Sequence, residues 1–303
     1  MTQAASIAQH NTDTARGFAF ALGAYGLWGF LPLYMKLLDH VGPIEVVAHR
    51  IIWSVPLAGA LLIVLRRTAD LRAALRSPRT LMMGAVTATL ISVNWLIYVW
   101  AVTSGNAVDA ALGYYINPLF SIFLGAVLLG ERLKRTQMVA VVLAALAVCI
   151  LTWFSGGLPW AAVGLTVSWG LYALAKKQLP IGPNQGFLLE VLLLLPFALC
   201  YIVWLTSTGQ GHFSADPALL MGCGIVTAVP LILYANGAKL LRLSTIGIMQ
   251  YIAPTMIFVI AVFVFGEALD TGRKIALPMI WVALVIYSLP MIRDMRRAST
   301  PKA

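Results

Sequence analysis

Arg50 is the first residue whose chemistry asks for an explanation. It stands in an apolar run, six residues past Ile44, which at 1.5 Å per residue puts its guanidinium about 9 Å inside a helix. Ionised side chains at that depth face a protein interior and take a partner. Glu45 and His49 precede it and Trp53 follows. Glu45 is rotated about 140° from Arg50 at 3.6 residues per turn, so it shares a face with His49 instead. The counter-charge is therefore expected from a carboxylate at the same depth, Asp109 first and Glu267 second. Glu190, the apparent counterpart of Glu45, enters from the other side. Catalytic constellations are missing: there is no HExxH, no nucleophile with a companion histidine and no pair of intramembrane aspartates, and His49 alone is insufficient. Cys149, Cys200 and Cys223 lie in apolar runs without metal-ligand spacing, so no metal, disulfide or cofactor is expected.

A second group is aromatic and amide. Trp28, Trp53, Trp95 and Trp169 sit well inside apolar runs, accompanied by Tyr98, Tyr115, Tyr234, Tyr251, Asn94 and Asn117. Aromatic belts belong at membrane interfaces, not at depth. Buried indole and phenol groups need hydrogen-bond partners, so these residues are expected to line a moist cavity for an amphipathic or aromatic solute, with interhelical packing as the competing role of each. Pro118 and Pro254 each remove an amide donor in mid-helix and are expected to kink two helices around that cavity.

The elements that carry these residues follow from hydropathy. Of 303 residues 60% are apolar and 11% charged, a composition that excludes an ordinary soluble globule. A spanning helix needs about 20 apolar residues, and ten stretches qualify: 17–38, 44–65, 80–103, 107–129, 137–154, 157–175, 185–206, 217–238, 244–266 and 275–292. The fold class is all-α, a polytopic membrane protein. No cleavable signal is expected, because residues 1–16 are polar and the next run is long enough to span.

Placing the N-terminus in the cytoplasm gathers Arg66, Arg67, Arg72, Arg76 and Arg79 in one inner loop and Arg132, Lys134 and Arg135 in the next. On that threading 17 of the 21 lysines and arginines are cytoplasmic, and only Arg273 and Lys274 lie outside. Both termini are then cytoplasmic by the positive-inside rule. The basic excess thus sets orientation, and no nucleic-acid partner is expected. Lys36 and Lys177 are placed where they can snorkel to headgroups from helix ends, with a role in the pathway as the competing reading.

The chain also repeats itself. Tyr115-Ile116-Asn117-Pro118 returns as Tyr251-Ile252-Ala253-Pro254, and Gly130-Glu131 returns as Gly266-Glu267, each pair ending its helix at a constant offset of 136. Trp28-Gly29 matches Trp169-Gly170. Five helices per half is an odd number, so the second half enters the membrane inverted. The organisation predicted is a cytoplasmic tail over 1–16, a first five-helix repeat over 17–155, a second over 156–292 and a basic cytoplasmic tail over 293–303. Inverted repeats place a substrate site between the halves and alternate its exposure. No P-loop is present, so ATP is not expected to drive the cycle.

The duplicated five-helix unit, its mid-helix proline and its terminal Gly-Glu resemble the EamA-type family of the drug/metabolite transporter superfamily over nearly the whole chain. Tyr25-Gly26-Leu27-Trp28-Gly29, the run Glu45 to Ser54 and the run Leu112 to Leu119 are similar to its RarD branch. That resemblance implies a permease of small metabolites or drugs in the bacterial inner membrane, with a link to chloramphenicol sensitivity in the branch's name. It also implies export, as in related amino-acid exporters. The small multidrug members carry a glutamate in mid first helix, and this first helix has none, so their proton coupling does not carry over. The rival readings are an intramembrane enzyme, which lacks its residues, and a membrane scaffold, for which the loops are short.

Overall fold

A computed structural model describes residues 14–129, 135–154, 156–238, 240–241 and 243–299. Among them the chain is helical without a strand. Ten apolar stretches become α1 (Ala15–Lys36), α2 (Pro43–Val64), α4 (Pro78–Thr103), α5 (Ala107–Leu129), α6 (Arg135–Phe154), α7 (Trp160–Gln178), α8 (Pro183–Ser207), α9 (Pro217–Ala238), the broken pair α10 (Leu243–Met249) and α11 (Ile252–Val259), and α12 (Thr271–Ser299). The arginine-rich loop holds a further short helix, α3 (Thr68–Leu75). Gly130-Glu131 and the extreme tails lie outside the described residues. Much of the segment expected as the basic tail over 293–303 continues α12, which runs to Ser299.

Local chemistry sets the boundaries. Thr14 and Ser77 cap α1 and α4 by accepting from the amides of Gly17 at 3.0 Å and Thr80 at 3.3 Å. Both α2 and α8 open with a glycine cap followed by proline in the first turn, Gly42-Pro43 and Gly182-Pro183, where the missing amide costs nothing. Nine of the described helical segments are long and apolar enough to cross a membrane. The exception is α7, whose apolar run is diluted by Lys176 and Lys177 and by polar groups turned inward. Thr166 donates to the carbonyls of Gly113 and Ala162, and Ser168 accepts from Asn94.

Large apolar side chains such as Trp153, Phe263 and Val64 are exposed on the outside of the bundle, the arrangement lipid requires. Inside, α2 packs on α8 and α9, α7 on α4 and α5, α1 on α9 and α11, and α6 on α12. Close approach rests on glycine: a Cβ at Gly113 would stand 2.8 Å from the carbonyl of Ala162, so small residues let α5 and α7 touch.

The two mid-helix prolines behave differently. Around Pro118 α5 stays continuous, whereas the segment carrying Pro254 is interrupted at Gln250-Tyr251, four and three residues before the proline. Proline removes a bond to the carbonyl four residues back and crowds it, and here the Gln250 side chain turns to donate to the Gly247 carbonyl at 3.0 Å. A π segment, Ile260–Val264, follows before Gly266 stops the helix at φ +70°. The expected pair of kinks is therefore one break and one through-going helix.

Candidate functional site

A cavity of about 530 Å³ opens in the centre of the bundle, a size suited to a small organic solute. Its deep end is formed by Arg50, Asn94, Tyr98 and Thr227, all buried. Its other end reaches exposed residues, Lys177 of α7 and Pro183 of α8, so the mouth lies at the α7–α8 connection. One wall carries Tyr25, Trp28 and Tyr234, with ring centroids 5.7 to 6.0 Å apart. A second aromatic group of the lining comprises Tyr98, Tyr114, Trp169 and Tyr172, linked by centroid spacings of 5.7 to 6.4 Å.

Arg50 occupies the deep end. Its Nε donates to Thr227 Oγ1 at 2.9 Å, and its guanidinium carbon stands 4.7 Å from the centre of the Trp95 ring, a cation–π contact. Nη1 is buried without a hydrogen-bond partner, as are Tyr98 Oη and Asn117 Oδ1 elsewhere on the lining. Among the described residues no carboxylate lies within ion-pair distance of Arg50. Both expected partners are engaged elsewhere. Asp109 meets Arg273 at 3.1 Å. Glu267 accepts from the first amides of α5, Ala107 at 2.7 Å and Val108 at 2.9 Å, a helix-start position that suits a carboxylate. Each has a nearer donor at the same end of the bundle, which depth alone did not reveal.

Of the sequence-selected residues, Trp28, Arg50, Asn94, Trp95, Tyr98, Asn117, Trp169, Tyr234 and Pro254 line the central cavity. Asn94 is saturated, donating to Leu165 O at 3.1 Å and Ser168 Oγ at 2.9 Å and accepting from Tyr114 at 3.3 Å, so it ties α4, α5 and α7 together. Pro118 is buried in α5 off the lining. Tyr115 and Tyr251 face a separate, shallower pocket with Trp281, and Tyr115 donates to Thr255 at 2.8 Å.

Glu45, His49 and Trp53 stand away from the cavity, beside the α8–α9 loop. Glu45 accepts from the amide of His212 at 2.7 Å and lies 2.8 Å from its Nδ1. Phe213 stacks on His49 and Trp53 at 5.4 and 6.0 Å, and His40 meets Asp216 at 2.8 Å. With Asp109–Arg273 these contacts close the end of the bundle opposite the mouth.

Sequence reasoning missed Tyr25, Tyr114, Tyr172, Thr227 and the pair Lys176–Glu190, whose Nζ and Oε1 are 2.6 Å apart with Tyr172 donating to the same carboxylate at 3.3 Å. The signal that locates the pair is the two Gly-Pro starts: Arg50 lies seven residues after Pro43 and Glu190 seven residues after Pro183. The positional counterpart of Glu45 is then Gln185, which donates to Asp70 at 3.2 Å, and Glu190 is the counterpart of Arg50.

Residues 15–153 match the model of the EamA-like transporter family. Protein RarD of Streptomyces exfoliatus is 41% identical over 286 residues, covering 93% of this chain and 91% of that protein. Protein RarD of Escherichia coli (strain K12) is 39% identical over 291 residues, covering 95% and 98%. A crystal structure sharing 20% identity covers 96% of this chain and 100% of its own with a TM-score of 0.58, a likeness of fold alone. The nine described segments long and apolar enough to span and these full-length relatives make the chain a multi-pass membrane transporter, and it belongs to the EamA-like transporter family, in the RarD branch that its three motif runs resemble.

Proposed function

We propose that this chain is a permease of the bacterial inner membrane that exports a small metabolite or drug-like solute by alternating access. It crosses the membrane ten times, as two inverted halves of five helices with both termini in the cytoplasm. The observation that carries this reading is the central cavity, lined by residues of both halves, with a mouth at one end and a seal of polar contacts at the other. A solute admitted at the α7–α8 mouth leaves when the Glu45–His212 end parts and the mouth closes.

Reciprocal packing supports the inverted halves. Exchanging the first five segments for the last five turns the α1–α9 neighbour relation into α7–α4, and α5–α7 into α11–α1, both of which occur. The same exchange turns Glu45 reaching the α8–α9 loop into Gln185 reaching α3.

Reconstitution tests the reading directly. Purified protein in liposomes is expected to pass a subset of a panel of small metabolites, chloramphenicol included, faster than protein-free liposomes and without ATP. A panel that leaks no faster than the empty vesicles would leave a scaffold role and sink the permease.

A further inference from the structure

We propose that the central cavity selects organic monoanions, a carboxylate carried on a flat apolar or aromatic body, and that Arg50 receives the carboxylate. This names the substrate class of the permease proposed above and rests on that reading. Arg50 is 4% exposed, lines the cavity and keeps Nη1 buried without a partner. Its fixed contacts, Thr227 and the Trp95 ring, are both uncharged. A buried cation left in that condition is costly, and an incoming anion is the group that relieves it.

The lining as a whole has the same sign. Arg50, Lys176 and Lys177 are its charged members, no aspartate or glutamate occurs among the described lining residues, and only Lys176 is neutralised, by Glu190 behind it. Cationic solutes are therefore disfavoured in a site with no free carboxylate to hold them. Tyr98 Oη supplies a second unpartnered group at the buried end, while the two aromatic groups of the lining offer stacking surface to the solute. Guanidinium presents planar donors that match a carboxylate, and lysine does not.

The test uses full-length protein in detergent and three probes that share one indole body, titrated by calorimetry: indole-3-acetate, its neutral isostere indole-3-acetamide, and cationic tryptamine. The acetate is expected to bind at least about tenfold tighter than the amide, the size of a hydrogen bond to a charged group, and tryptamine weakest. Arg50→Gln, checked for a monodisperse elution profile, should bring acid and amide to the same affinity, and Arg50→Lys should restore part of the difference. Equal binding of acid and amide by the wild-type protein, binding of none of the three, or a preference that survives in Arg50→Gln overturns the proposal. Flux separates the two readings. Amide crossing proteoliposomes without acid selectivity defeats the anion site and leaves the permease, whereas selective acid binding with no solute crossing defeats the permease and leaves the site.

Discussion

Arg50 and Glu190 hold the same place in their helices and answer burial in opposite ways. Glu190, 1% exposed, is satisfied by Lys176 and Tyr172, so its charge is part of the resting architecture. Arg50 is left with one hydroxyl and one ring, which is why the cavity has a polarity at all. Depth alone makes Asp109 a partner for Arg50, but Arg273 shares its end of the bundle and reaches it from the start of α12. Glu267 has an equally local task, holding the two leading amides of α5. Glu267→Ala therefore leaves those amides unpaired, with a cost of about 1–2 kcal/mol. The expected result is an apparent Tm lowered by a few degrees in detergent, with Arg50-dependent binding intact. An unchanged melting curve would show that the cap adds nothing to stability.

At the scale of elements, hydropathy places the long segments within a few residues of their helices, since length and apolarity are what a bilayer requires, except that the last helix runs on through basic residues to Ser299, which apolarity alone does not extend. It misses the interruption at Gln250-Tyr251, because a proline in an apolar run has the same signature whether the helix bends or breaks; the deciding groups are Gln250 and the π segment that follows. It also misses α3, too short and polar to register. The aromatic cavity is legible because tryptophan and tyrosine at depth have few other uses, yet which tyrosines face it depends on helix rotation. Tyr114 lines it and its neighbour Tyr115 faces away. The contacts of Glu45, His49 and Trp53 involve a loop, whose course carries no periodic signal. That loop is the element expected to move. Cysteines introduced at 45 and 212, in a background lacking Cys149, Cys200 and Cys223, should be bridged by a short bifunctional methanethiosulfonate, which replaces the length of side chain by which Glu45 reaches the His212 amide. Cross-linked protein is expected to lose flux and regain it on reduction. Flux at the same rate in bridged and reduced protein would show that this end stays shut throughout the cycle.

At the scale of the whole molecule, charge and cavity together predict which end faces the cytoplasm. Lys176, Lys177 and the arginines around α3 lie at the end where the cavity opens, while the segment 207–217 that covers Glu45 has neither lysine nor arginine. Basic loops are retained in the cytoplasm, so the mouth is predicted to face inward and the sealed end outward, as an exporter at rest requires for loading. Reporters fused after Arg79 and after Ala303 should then report cytoplasm, and one at Gly209 the outside. Thiol labelling tests the cavity along with the topology. In the cysteine-free background, Asn184→Cys at the mouth should react with a membrane-impermeant maleimide in inside-out vesicles and resist it in intact cells. Gly209→Cys should do the reverse. Saturating indole-3-acetate should slow modification at position 184 by occluding the cavity, and leave position 209 unchanged. Labelling of both cysteines from one side would refute the threading, and labelling of Asn184→Cys from outside alone would turn the permease around, making the resting state one that loads from the periplasm.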